Sequence, residues 1–65
     1  MGKIIIEQAE KQENLLIACR DSLLKRNKNY NDNRSYEYER AKLIGMIDIM
    51  DSLKIDRSKF NWIYL

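Results

Sequence analysis

Histidine and proline are absent from this 65-residue chain, which has only one cysteine and two glycines. Without histidine, neither a Ser-His-Asp nor a Cys-His catalytic arrangement can form, so an acid-base enzyme would depend on carboxylates, lysines or tyrosines. The lone Cys19 has no intramolecular disulfide partner, and no cluster of cysteine and histidine is present for zinc. We therefore expect no enzymatic activity, no metal and no cofactor.

Long apolar runs are absent as well. The longest, Leu15–Cys19, is far shorter than the roughly 18 residues that span a bilayer. The start, Met-Gly-Lys-Ile-Ile-Ile, has too short an apolar stretch for a signal peptide and lacks a small-residue cleavage site. Together with a single cysteine, these features predict a cytoplasmic protein with no membrane association.

The small size of the chain predicts self-association. A chain this short buries only about 60% of its unfolded surface, and such folds are usually supported by disulfides, a metal or oligomerisation. Because the residue counts exclude the first two, we predict a homo-oligomer, with a dimer as the first choice.

The spacing of apolar residues predicts an all-α fold in a single domain, residues 1–65. A first helix is predicted at about 4–27, an Asn-rich turn at 28–34, a second helix at about 35–54 and an aromatic C-terminal segment at 56–65. Asn33 or Ser35 can cap the second helix. A turn this short between two such helices predicts an antiparallel helical hairpin.

Apolar stripes on the two helices define the predicted core. In the second helix, Tyr36 is predicted to face the core together with Leu43 and Ile47. Leu15, Ile17 and Leu24 widen the stripe of the first helix, whose central positions recur at three- and four-residue steps: Ile5, Ala9, Gln12, Leu16, Cys19 and Leu23.

The second helix carries more apolar surface than one neighbouring helix can cover, with seven apolar residues among positions 43–53. We predict that one side of it closes the hairpin and that the flank with Met46, Ile49 and Leu53 meets a second copy or a target. Two hairpins would then dimerise through the second helix and the C-terminal segment into a four-helix bundle. The predicted interface residues are Met46, Ile49, Met50, Leu53, Phe60, Trp62 and Tyr64.

Gly45 is unexpected inside a helix, where it costs about 1 kcal/mol relative to alanine. With Ala41 one turn earlier, it could allow a second helix to approach closely. The alternative is an exposed glycine without a structural role.

The conformation of the C-terminal segment is open from sequence. Asp56 or Ser58 could cap a short third helix, whereas Phe60, Trp62 and Tyr64 alternate as in a strand. In either conformation we expect burial over the open end of the hairpin or over its symmetry mate. The alternative is an exposed tail that docks on a partner.

Basic residues concentrate around the turn and suggest nucleic acid as an alternative partner. The candidate contacts are Lys25, Arg26, Lys28, Arg34 and Arg40, interleaved with Tyr36 and Tyr38. Against this, Glu37 and Glu39 lie among them and the net charge is only +2. The cations that end the first helix also complement its dipole.

Ser35-Tyr-Glu-Tyr-Glu39 resembles the Ser-Gln-Glu-Leu-Asp signature of the small sporulation aspartyl-phosphate phosphatases. Those proteins are short helical hairpins, and their motif opens the second helix, as Ser35 does here. The resemblance implies that Glu39 matches the acidic residue that takes part in removing phosphate from a response regulator. Tyr36, Tyr38 and Glu39 depart from the motif at three of its five positions.

These observations favour a non-enzymatic module that self-associates and occupies the surface of an unidentified protein partner, as an inhibitor or adaptor. The abundance of Ile, Lys, Asn and Tyr would suit an accessory protein from a phage or another mobile element of a bacterium. A nucleic-acid-associated regulator is the alternative, and a helical-hairpin phosphatase is a more distant one.

Overall fold

The computed structural model describes residues 2–65, which fold into two long α-helices and two short 3-10 helices. Helix α1 spans Gly2–Lys25 and helix α2 spans Arg34–Ser52, and they pack against each other. The turn between them contains a 3-10 helix at Tyr30–Asp32, and the C-terminal 3-10 helix spans Ser58–Tyr64. No strand occurs in residues 2–65. The all-α prediction is confirmed.

Both α-helices end in the same hydrogen-bonded motif. After α1, Lys28 N–H donates to Leu23 O at 3.0 Å and Asn27 adopts a φ of 57°. After α2, Ile55 N–H donates to Met50 O at 2.9 Å and Lys54 adopts a φ of 57°. This is the Schellman arrangement, which satisfies the last carbonyls and reverses the chain direction.

Asn33 begins the second α-helix. Its side-chain oxygen accepts hydrogen bonds from the backbone N–H groups of Ser35 and Tyr36, at 2.9 and 3.2 Å. Of the two predicted caps, Asn33 therefore makes the bonds, because it precedes the first helical residue. Glu37 lies in the first turn, where negative charge is favoured.

The core is built from three elements. It consists of Ala9, Leu16 and Leu23 from α1, then Tyr36, Leu43, Ile47 and Met50 from α2, then Phe60 and Ile63 from the C-terminal helix. Ile5 and Cys19 pack against it, and Gln12 is buried with its side-chain amide donating to Glu39 O at 2.9 Å. The predicted central stripe of the first helix is therefore confirmed.

The predicted widening of that stripe is wrong at two positions. Leu15 and Leu24 are 54% and 51% exposed, and Ile17 is half-buried. A helix presents about 100° of rotation per residue, so one neighbouring helix covers only a narrow arc of its surface.

The C-terminal helix lies along one groove of the hairpin. Phe60 and Ile63 lie three residues apart, so the 3-10 geometry places them on one side, where both are buried. Trp62 Nε1 donates to Glu13 Oε2 at 2.8 Å, and Ile63 O accepts from Arg40 Nε at 2.9 Å.

Ion pairs from Lys59 to Glu10, at 3.2 Å, and from Arg57 to Asp51, at 3.3 Å, flank these hydrogen bonds. The predicted burial is confirmed for Phe60 and Ile63, whereas Tyr64 and Leu65 are exposed. The strand alternative and the exposed tail are wrong, and the segment runs back along the hairpin instead of covering its open end. Asp56, and not Ser58, accepts at its start, from Ser58 N–H at 2.9 Å.

We predict that Leu16→Ala lowers the free energy of unfolding by about 2–5 kcal/mol, because Leu16 is fully buried and its truncation leaves a cavity. Leu24→Ala removes the same atoms from a half-exposed site and should cost less than about 1 kcal/mol. Urea unfolding monitored by circular dichroism measures both. Equal losses would contradict the core described above.

Burial raises the pKa of the Tyr36 hydroxyl above its usual value of 10.0, with Tyr30 adding to the shift and Arg20 and Arg40 opposing it. The unfolded chain thus loses this proton at lower pH than the folded chain does. The stabilising contribution is full below pH 10 and is lost as pH rises through the folded-state pKa.

We therefore expect the urea midpoint to fall between about pH 8 and about pH 11, and to fall less in Tyr36→Phe. The measurement is urea unfolding across that range for both chains. An identical pH dependence in the two chains would refute this assignment.

Candidate functional site

The C-terminal helix covers only one of the two flanks of the hairpin. On α1 it pairs with Glu10 and Glu13, and on α2 with Arg40 and Asp51. At about 100° per residue, the helical positions turned about 120° or more from these contacts face the opposite flank. No element of residues 2–65 lies over that flank.

Apolar side chains line the uncovered surface, which we call the apolar flank. It consists of Ile4 and Leu15 from α1, of Met46 and Ile49 from α2, and of Leu53, which directly follows α2. Ile4 is 67% exposed and the side chains of Leu15, Ile49 and Leu53 are 51–54% exposed, whereas Met46 is half-buried. Isolated exposed leucines are ordinary, but several on one flank indicate a contact surface.

Ile4 and Leu53 lie at the open end of the hairpin, whereas Leu15 lies about 16 Å further along α1. Ile55 lies against Gly2, with its Cδ1 3.4 Å from the position that a Cβ on Gly2 would take. The start of α1 therefore lies beside the end of α2, and Ile4 lies at the same end as Leu53. At this end, the apolar flank therefore includes residues of both helices.

A charged pair lies nearer the turn. Lys42 Nζ lies 2.6 Å from Glu39 Oε1 and 4.5 Å from the centre of the Tyr38 ring. The hydrogen bond to the Glu39 carboxylate raises the pKa of Lys42 above its ordinary value. Lys42 therefore stays charged, and a charged group borders the apolar surface as in the polar rim of an interface.

The seven residues predicted for the interface do not share one surface. Met46, Ile49 and Leu53 lie on the apolar flank, as expected. Met50 and Phe60 are fully buried inside the single chain, so we correct their placement. Phe60 belongs to the C-terminal helix, which packs against the hairpin and brings both residues into the core. Trp62 is half-buried against Glu13 and Arg20, and Tyr64, 45% exposed, lies beside Arg57.

Gly45 is exposed in the interior of α2, and a Cβ added to it would meet nothing within 4 Å. No contact inside residues 2–65 therefore requires a glycine here. The predicted close approach at Ala41 and Gly45 concerns a second chain and stays a prediction.

The predicted nucleic-acid residues are only partly together. Lys25, Arg26, Lys28 and Arg34 are all exposed at the turn end of the hairpin. Arg40 is separate from them, because its Nε donates to Ile63 O and its guanidinium lies 6.0 Å from the Tyr64 ring centre. With Tyr36 buried in the core, the interleaved basic and aromatic surface does not form.

The motif that resembles the phosphatase signature does open α2. Ser35 lies in its first turn, and Glu39 lies one turn later. The Glu39 carboxylate is paired with Lys42, and its side chain is only 17% exposed. An acidic catalytic group needs access to its substrate, so this pairing gives the phosphatase alternative little support.

The described residues contain no group of three or more acidic, cysteine or histidine side chains placed to hold a metal ion. Within residues 2–65, no helix is long and apolar enough to cross a membrane. Cys19 is half-buried against the core, as expected for a small apolar side chain.

Comparison with known proteins gives no match to a family model, a curated protein or a solved structure.

Sequence reasoning missed two members of the apolar flank. Ile4 received no role, and Leu15 was assigned to the core. The positions of Ile4 and Leu15 around the helix could have identified them. At about 100° per residue, these two residues lie within about 20° of each other and about 80–100° from Leu23 and Ile5, which face the core.

Proposed function

We propose that this chain is a small protein-binding module that self-associates through its apolar flank and acts by occupying the surface of a partner protein. The observation that carries this proposal is the uncovered row of half-exposed Leu15, Ile49 and Leu53 opposite the C-terminal helix. One flank of the hairpin has its own cover, and the other has none within residues 2–65.

A two-fold pair of hairpins would cover the apolar flanks of both copies at once. In such an interface, the same patch meets itself, so each Ile49 and Leu53 gains an apolar neighbour from the other copy. The four α-helices would then form a bundle, in which short antiparallel hairpins commonly pair. The charged Glu39 and Lys42 would lie at its border.

The same surface supports binding to another protein. An amphipathic helix of a partner can lie on the apolar flank, with its apolar face on Met46 and Ile49. Self-association and partner binding then compete for one surface, which would make the free concentration of the module a determinant of its activity.

We predict that Ile49→Lys converts a dimer to a monomer at micromolar concentration, because the new charge would be buried in the interface. Sedimentation should give twice the chain mass of 7.8 kDa for the original chain and the single mass for the variant. Leu24→Lys is a matched control: both side chains are 51% exposed, and both lie in the last turns of their helices, where a cation is favoured.

Leu24→Lys should leave the dimer unchanged, since Leu24 lies outside the apolar flank. If the original chain is a monomer, the proposal of self-association is wrong. If both variants dissociate the dimer equally, the apolar flank is not its interface. For the partner role, affinity capture should recover the same protein with the original chain and Leu24→Lys but not with Ile49→Lys.

A second candidate function, nucleic-acid binding, has one observation in its favour. Lys25, Arg26, Lys28 and Arg34 are exposed at one end of the hairpin, and none forms an ion pair within residues 2–65. Such a cluster can neutralise backbone phosphates without reading sequence.

If this candidate is correct, the chain binds mixed-sequence duplex DNA at low salt, and the logarithm of the affinity falls linearly with that of salt concentration. Removing two charges with Lys28→Gln and Arg34→Gln should reduce the slope by about 2. Lys3→Gln, at the opposite end, is the control and should leave it unchanged. Absence of binding at low salt would eliminate this role.

A further inference from the structure

A cavity of about 220 Å³ lies between the turn and the end of the C-terminal helix. Arg20 and Arg40 reach it from α1 and α2, Tyr30 from the turn and Trp62 from the C-terminal helix. Asn31, Tyr36 and Glu37 complete the polar part of its lining. The cavity belongs to the covered flank, so it does not depend on self-association through the apolar flank.

Arg20 brings an unused hydrogen-bond donor to this cavity region. Its Nε is buried and donates to no acceptor within residues 2–65. The Asp21 carboxylate lies 3.5 Å away, close enough for an ion pair but without hydrogen-bond geometry. The guanidinium lies 5.3 Å from the centre of the Trp62 ring, which fixes its position. The outer nitrogens of this guanidinium make no hydrogen bond within residues 2–65 and are not buried, so they remain to bind an acceptor supplied by a ligand.

Arg40 is also held in place. Its Nε donates to Ile63 O at 2.9 Å, and its other N–H groups make no hydrogen bond inside the described chain. Arginine presents five donors in a planar fork, so the outer nitrogens remain to bind an anion. Two guanidinium groups from different helices thus line one small cavity.

Two phenol groups add further donors. The rings of Tyr30 and Tyr36 meet edge to face, with centroids 4.9 Å apart. Neither hydroxyl has a hydrogen-bond partner within residues 2–65. Both arginines act electrostatically on the Tyr36 hydroxyl, in the direction that lowers its pKa, as expected of cations close to it. Guanidinium and phenol donors therefore lie around one space.

We propose that this cavity binds the phosphate group of a small phosphomonoester. A phosphate monoester carries a charge of about −1.5 to −2 at neutral pH and three acceptor oxygens, which match two guanidinium groups and two phenols better than the single charge of a carboxylate does. Guanidinium forks bind such oxygens in pairs.

Glu37 and the size of the cavity restrict the part of the ligand that carries the phosphate group. The Glu37 carboxylate accepts hydrogen bonds and repels a second anionic group, so it selects a hydroxyl or amine on the remainder. The volume is below the roughly 300 Å³ of the smallest typical pockets for drug-sized ligands. The ligand is therefore compact and singly phosphorylated.

The test uses Trp62, the only tryptophan of the chain, as a reporter inside the cavity lining. Glycerol phosphate, inorganic phosphate and glycerate are titrated into the full chain, followed by tryptophan fluorescence and by calorimetry. We expect saturable binding of glycerol phosphate. Glycerate, which replaces the phosphate with a carboxylate, should bind about tenfold or more weakly.

Matched variants locate the site. Arg20→Gln should weaken glycerol phosphate binding by about tenfold or more, whereas Arg34→Gln removes the same charge from an exposed position outside the cavity and should have little effect. Tyr30→Phe should weaken it by about threefold, and Tyr38→Phe, which removes an identical hydroxyl from a 64% exposed side chain, should not.

Any of three results would overturn the proposal. One is that the original chain binds neither phosphate compound in either measurement, and another is that Arg20→Gln and Arg34→Gln weaken binding equally. The third such result is that glycerate binds as tightly as glycerol phosphate. Circular dichroism establishes that each variant is folded. If Arg20→Gln fails to fold, the comparison of Tyr30→Phe with Tyr38→Phe decides the site.

Discussion

The seating of Phe60 and Ile63 between α1 and α2 is the interaction on which the rest of this structure depends. A hairpin of two helices covers only one arc of each helix, and a chain of 65 residues has little else with which to build a core. The C-terminal helix supplies a third wall and is anchored on both sides, by Trp62 to Glu13 and by Ile63 O to Arg40. Its position also decides which flank of the hairpin is left uncovered.

Local features were predictable because their causes are local. Asn33 accepts from the first N–H groups of α2 as its position before the helix requires, and the spacing of Ala9, Gln12, Leu16 and Leu23 predicts the buried stripe. The helix bounds differ from the prediction by at most two residues, apart from the 3-10 turn at Tyr30–Asp32, which the Asn-rich composition does not distinguish from other turns.

The partner of each apolar residue was not predictable, because a sequence pattern reports burial without saying which surface does the burying. Met50 and Phe60 were assigned to an interface between chains, yet both are fully buried in the core of one chain. Part of the apolar surface of residues 43–53 is thus buried in the core that includes the C-terminal helix. For Met46, Ile49 and Leu53, which lie on the flank that this helix does not reach, the interface stays a prediction.

The cavity at Arg20 and Trp62 was missed for a different reason. Its lining comes from α1, the turn, α2 and the C-terminal helix, and no short motif contains these residues together. In the sequence, Arg20 is one more cation in the second half of a helix, with no aromatic residue near it along the chain. Only the return of the chain along the groove gives it aromatic and phenolic neighbours.

The path of the C-terminal helix along the hairpin also predicts the order in which the elements fold. The amide of Gln12 bonds to a carbonyl 27 positions away, whereas the indole of Trp62 bonds to a carboxylate 49 positions away. Closing the longer loop has the greater entropic cost, and it has no docking groove until the two α-helices have paired. We therefore expect the C-terminal helix to join last and to open first. Amide hydrogen exchange at its N–H groups reports this partial opening separately from global unfolding.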